Sequence, residues 1–176
     1  MKRTTIIVAI VLAFSAAGCG RHSANVDGSA NSTPAAESSS GTSFSLRLAG
    51  VDKGDFVSAL MRIKAVQVTS GAALLASTLK TPEVNLAEMG QAYLITSFQV
   101  PANTEDVEFL VSFEGGTVST EKESFNVDSR CQTLRIAGKV SRIAERKHAV
   151  IHLDLARSFV GSASGMMLVP HFQLVY

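Results

Sequence analysis

Between Val107 and Phe113 the chain reads Val-Glu-Phe-Leu-Val-Ser-Phe, with Val107, Phe109, Val111 and Phe113 on every second position. Side chains of an extended chain alternate between two faces, so this spacing predicts a strand with one buried face; a helix would need apolar residues three and four apart. The same period begins at Phe44-Ser45-Leu46-Arg47-Leu48, and a polar turn follows at 50–55. Further strands are predicted over 56–69, 93–100, 125–127, 133–140, 148–155 and 166–176. In the 56–69 strand Ile63, Ala65 and either Val66 or Val68 point inward, an ambiguity that a bulge would explain. The Ala- and Leu-rich stretch 71–79 fits a loose connection or a short helix equally well. Val84-Asn85-Leu86 reads as a short extended piece, followed by one helical turn that closes at Gly90.

Seven to nine strands with almost no helix predict an all-β fold, a single antiparallel β-sandwich over 44–176. Gly115-Gly116 is expected to end the 107–113 strand as a turn pair. Pro170, which has no N–H to give a ladder, predicts an edge or a bulge in the last strand. The composition agrees: 46% hydrophobic, 18% charged, two Cys and no Trp exclude a disordered chain, a collagen, a disulfide-stapled miniprotein and a multi-pass membrane protein. A formal charge of +1 supplies none of the basic excess of a phosphate-backbone binder, so nucleic acid is not an expected partner.

The N-terminal 43 residues have a different character. Lys2 and Arg3 precede the apolar run Ile6 to Phe14, then Ser15-Ala16-Ala17-Gly18 and Cys19. A positive start, an apolar stretch and small residues make a secretory signal over 1–18. The apolar part falls well short of the ~20 residues that a bilayer-spanning helix needs. Ala16-Ala17-Gly18-Cys19 resembles the lipobox of bacterial lipoproteins, in which the cysteine thiol is lipidated before cleavage; Ala16 stands where Leu, Val or Ile is common. The resemblance implies that Cys19 becomes the acylated first residue and that the membrane is a partner through this anchor. Acyl chains add ~0.8 kcal/mol per buried methylene, so two or three of them hold a protein stably. After the lipidated Cys19, residues 20–43 are mostly Ser, Ala, Gly, Asn, Thr and Pro with Val26 as the sizeable apolar residue, so that 19–43 is expected to be a flexible linker with a reach of about 25–30 Å. Arg21 and His22 within it read as solvated. The expected location is the bacterial cell envelope. Gly20, in place of the Asp of an inner-membrane retention signal, favours the outer membrane.

The most readable chemistry lies on the 148–155 strand, where Ala149, Ile151, Leu153 and Leu155 share one face and His148, Val150, His152 and Asp154 the other. His148 and His152 lie about 13 Å apart along a strand, too far to hold one zinc ion. His152 and Asp154, about 6.6 Å apart, could both reach one ligand, but two groups without a third do not make a metal site. The face is a candidate binding surface, and equally a row of solvated side chains. Cys131 lacks a partner for a disulfide once Cys19 is lipidated. Arg130 beside it would point to the opposite face of a strand, so a buried, inert thiol is the simpler reading. No nucleophile elbow, phosphate loop, zinc-protease pair or dinucleotide fingerprint occurs, and no cofactor is implied.

Several segments resemble the bacterial and archaeal domain of unknown function 4382. Val84-Asn85-Leu86-Ala87-Glu88-Met89-Gly90 is similar to its hydrophobic-Asp-Leu-Leu segment, and Phe98-Gln99-Val100-Pro101-Ala102 to its Val-Pro-Ala-Gly turn. Ile151 to Val160 looks like its Asp-Phe-Asp-x-x-Lys-Ser strand, and Leu168 to Leu174 like its closing Leu-x-Pro strand. His152 stands where the family has its first Asp, Asn103 where a Gly is usual, and the Tyr that commonly follows is missing from 104–108. The resemblance implies a transthyretin-like or immunoglobulin-like sandwich in a lipoprotein, and carries no catalytic or ligand residues across. The expected function is therefore a non-catalytic, lipid-anchored envelope protein that presents its sandwich to an envelope protein or polysaccharide. The alternative is an envelope hydrolase or metal-dependent enzyme using His148, His152, Asp154 and Cys131.

Overall fold

The computed structural model describes residues 41–128, 133–163 and 165–176. Cys19, the 1–18 signal, the linker up to residue 40, and Cys131 with Arg130 lie outside the described residues. Thirteen strands run through the described part: β1 (Thr42–Val51), β2 (Ser58–Ser70), β3 (Ala73–Leu75), β4 (Ser77–Leu79), β5 (Glu83–Asn85), β6 (Tyr93–Val100), β7 (Asp106–Ser119), β8 (Ser124–Asp128), β9 (Thr133–Lys139), β10 (His148–Asp154), β11 (Phe159–Ser162), β12 (Gly165–Leu168) and β13 (Phe172–Val175). Two short helices, α1 (Val140–Arg146) and α2 (Leu155–Ser158), interrupt them. One sheet has the order β13-β10-β1-β6-β4. The other has the order β11-β12-β8-β7-β2-β3, with β5 also on β2 and β9 on β7. The two sheets pack on each other as the alternating pattern requires, and the fold is an all-β sandwich.

The strands exceed the expected seven to nine because 71–79 holds two short strands, 159–162 forms another and 166–176 is divided in two. Two pairings also depart from the antiparallel plan: β1 with β10, and β8 with β12, are parallel. Antiparallel partners can be joined by a hairpin, whereas these parallel neighbours are distant in sequence, which local pattern does not reveal.

The inner faces are those that the alternation selects. Leu46, Leu48, Ile95, Phe98, Ala149, Ile151 and Leu153 of the first sheet meet Ala59, Met61, Val68, Phe109, Val111 and Leu134 of the second, all buried. Phe98 stands edge-on to Phe109 across the two sheets, with ring centroids 5.3 Å apart at 74°, and Phe44 extends the row at 6.0 Å. Burying one such ring contributes about 1.5–3 kcal/mol from its area, and the edge-to-face geometry adds about 0.5–1.5 kcal/mol.

Several local expectations change. The bulge in β2 lies at 62–65, where its register against β7 slips. Both Val66 and Val68 then turn inward with Ile63, while Ala65 becomes only partly buried. Gly115-Gly116 is no turn: β7 runs through it to Ser119. A Cβ on Gly116 would sit 2.2 Å from the Leu60 carbonyl oxygen, so the missing side chain lets β2 and β7 approach opposite the bulge. The turn comes at Thr120, whose Oγ1 accepts from the Glu123 N–H at 3.2 Å. The 71–79 stretch contains β3 and β4 and no helix. The 133–140 strand stops at Lys139, where α1 begins and buries Ile143.

The 166–176 strand is divided. β12 belongs to one sheet and β13 to the other, and the chain crosses between them at Val169-Pro170-His171. Pro170 marks the crossing because it cannot continue either ladder. The 148–155 strand likewise ends at Asp154, and α2 carries the chain over to β11. The two crossings lie side by side and Ser158 joins them. Its Oγ accepts from the His171 N–H at 2.9 Å and donates to the His171 carbonyl at 3.3 Å, while its own carbonyl accepts from Val169 N–H at 2.7 Å. Ser158 is fully buried, and no buried side-chain polar atom among the described residues lacks a hydrogen-bond partner.

Candidate functional site

β10 places its side chains as the alternation predicts. Ala149, Ile151 and Leu153 are fully buried, and His148, Val150, His152 and Asp154 are partly open on the outer face. β10 is an inner strand, flanked by β1 and β13, so its outward residues have lateral neighbours fixed by register. His152 stands between Ala49 and Gln173, and Asp154 beside Val51. His148 is at the other end of the strand, opposite Ser45, with its Nδ1 2.8 Å from the Arg146 carbonyl oxygen. The structure therefore separates His148 from the other two.

The crossing segments add what the strand pattern missed. A recess of about 280 Å³ is lined by Val51, His152, Asp154, Arg157 and the run His171-Phe172-Gln173. Phe172 pairs with Leu153 at the sandwich edge and is 40% exposed. His171 and Arg157 reach this place because Pro170 and α2 turn the chain there. Pro170, which can continue neither ladder, is the sequence signal for the change of sheet that brings His171 here.

Asp154 is already engaged by the fold. Its Oδ1 accepts from the Arg157 N–H at 3.0 Å, which caps α2, and its Oδ2 lies 3.6 Å from Arg157 Nε. Its backbone N–H donates to the His171 carbonyl at 2.9 Å. Among the described residues no three His, Cys, Asp or Glu side chains come together to hold a metal ion. The side chains left to face a ligand are the imidazoles of His152 and His171, the Gln173 amide and the Arg157 guanidinium, whose side chain is largely exposed. Imidazole and amide can both give and accept hydrogen bonds, and the guanidinium only gives them, a set suited to a polar or anionic ligand.

A second polar cluster sits where β5 ends. Asn85 Oδ1 accepts from Ala59 N–H at 3.0 Å and Ala87 N–H at 3.3 Å, and its Nδ2 donates to Glu88 Oε1 at 3.2 Å. Tyr93 donates to Glu88 Oε2 at 2.6 Å, with the Asn85 carbonyl a second acceptor at 3.2 Å. Burial raises the Tyr93 phenol above its ordinary pKa of 10.0, and the hydrogen bond and negative charge of Glu88 push the same way against the Asn85 carbonyl. Asn85-x-x-Glu88 has the spacing of a capping box, a legible signal for this cluster. The cluster ties the 85–93 connection to β2 and opens onto no recess with His152.

No helix among the described residues is long and apolar enough to cross a membrane. Comparison with protein-family models, with curated proteins and with solved structures finds no match to this chain.

Proposed function

We propose that this chain is a lipid-anchored bacterial envelope protein of the domain of unknown function 4382 type. Its sandwich presents the β10 face to an envelope protein or polysaccharide without catalysing a reaction. The anchor rests on Lys2, Arg3, the apolar Ile6 to Phe14 run and Ala16-Ala17-Gly18-Cys19. The single observation that carries the binding role is the state of the polar groups at the recess. Asp154 caps α2 and pairs with Arg157, and Ser158 is spent on His171, so the outward His152, Gln173 and His171 form a recognition surface. The full chain made in a bacterium should carry a diacylglyceryl-modified Cys19 by mass spectrometry. Once solubilised, it should be retained on isolated envelope polymer or on an envelope protein, and His152→Ala should weaken that retention. An unmodified N-terminus, or no retention on any envelope component, would refute the proposal.

The second reading, a hydrolase or metal-dependent enzyme, draws on the two imidazoles of His152 and His171 opening onto one recess beside Asp154. Stoichiometric metal in the purified chain, or hydrolysis lost in a folded His152→Ala variant, would select it.

A further inference from the structure

We propose that the β2–β3 hairpin tip, centred on Leu74, docks into the lipid surface to which the chain is anchored. The inference rests on the anchor reading and adds an orientation to it. Leu74 is 66% exposed, more than any other exposed large hydrophobic side chain of the described residues. Ala72, Ala73 and Ala76 around it are exposed too, and from Gly71 to Leu79 the sequence carries no charge. β3 ends its sheet. Edge strands are ordinarily guarded by charge, by Pro or by a covering element, and this hairpin tip has no charged guard.

The place where the remaining chain joins the domain identifies the cover. Leu74, Leu75 and Ala76 line one recess of about 200 Å³ together with Gly41, Gln99 and Pro101. Gly41 is where the described chain begins, so the anchor side of the chain enters beside the apolar tip. Between Cys19 and Gly41 lie the residues Gly20 to Ser40, whose Ser-, Ala- and Gly-rich composition is that of a tether that would reach about 25 Å. A tether of this reach gives an effective concentration in the millimolar range, so the weak insertion of one Leu and three Ala is enough to orient the domain. The tip from Gly71 to Leu79 is uncharged, while Arg62 and Lys64 lie further along β2, so the contact of the tip is with the apolar boundary beneath the head groups. Met89 is 46% exposed on the connection that packs on Gly50, at the other end of β1 from Gly41, and stays in water.

The chain has no Trp, so Leu74→Trp and Met89→Trp each install a single fluorophore at an already exposed site. Each acylated full-length variant is reconstituted into phosphatidylethanolamine–phosphatidylglycerol vesicles doped with brominated phosphatidylcholine. The residue at 74 should lie about 5–10 Å into the interface and be quenched at least twofold more than the residue at 89. Equal quenching at the two positions, or none at either, in protein that floats with the vesicles and carries the acyl group, overturns the docking and leaves the anchor standing. Protein that carries no acyl group and does not float overturns the anchor, and the docking falls with it.

Discussion

Replacing Ser158 by Ala tests whether one buried hydroxyl holds the two sheet crossings together. Without Oγ the His171 N–H, now bonded at 2.9 Å, is left without its acceptor, whereas the His171 carbonyl keeps the Asp154 N–H at 2.9 Å. One orphaned donor in a part-buried segment costs about 1–3 kcal/mol, and about 2 kcal/mol is a central expectation. A domain of about 130 residues unfolds with an entropy of roughly 0.27 kcal/mol/K, so that loss lowers Tm by roughly 7 °C. Thermal unfolding followed by far-ultraviolet circular dichroism measures it. Ser162→Ala is the control, since its hydroxyl makes one exposed bond to the Gly165 carbonyl at 3.1 Å and its loss should stay within about 0.5 kcal/mol. Hydrogen exchange should show the His171 amide losing protection in Ser158→Ala. A Tm within about 1 °C of the parent, indistinguishable from Ser162→Ala, would refute the reasoning that this hydroxyl pins the crossing.

Gly50→Ala would place a Cβ 1.9 Å from the Leu86 carbonyl oxygen, so the backbone must shift. The cost is about 1–3 kcal/mol, read as a lower urea midpoint at unchanged slope. Phe109→Ala removes a fully buried ring that bridges the sheets and should cost about 3–5 kcal/mol in the same titration. For Tyr93 the folded pKa lies above the unfolded one, so the neutral phenol stabilises the fold below about pH 10. That contribution is lost as pH rises through the raised value. Carbon-13 NMR of the ring should place the Tyr93 titration above the ordinary tyrosine range, and Glu88→Gln should move it down; an unchanged midpoint in Glu88→Gln would show that Glu88 has no part in it.

The period-two pattern carried most of the fold because burial on one face of a strand is a local property. Val107, Phe109, Val111 and Phe113, and Ala149, Ile151 and Leu153, are buried as their spacing demands. The pattern failed where a strand changes partner. Alternation continues through a crossing, so nothing in the apolar residues of 166–176 separated β12 from β13, and Pro170 alone recorded the break. Gly115-Gly116 misled for a related reason: glycine serves a tight turn and a close approach of two strands equally well, and the distant Leu60 carbonyl decides which. The candidate surface was half legible. His152 and Asp154 share a face by register alone, whereas His171 and Arg157 join them through the crossings. The sequence also could not show that Asp154 is committed to capping α2.

Ser45 pairs with His148, about a hundred positions further on, and this parallel seam runs on to Val51 and Asp154. β1, the first strand of the described residues, is thus denied its neighbour on one side until the last quarter of the chain arrives. Closing so long a loop is entropically slow, and proteins dominated by such distant pairings fold in milliseconds to seconds. For the exported lipoprotein proposed above, threaded unfolded through a translocation pore, that delay is an advantage: the β1–β10 seam would close only once β10 had emerged on the far side.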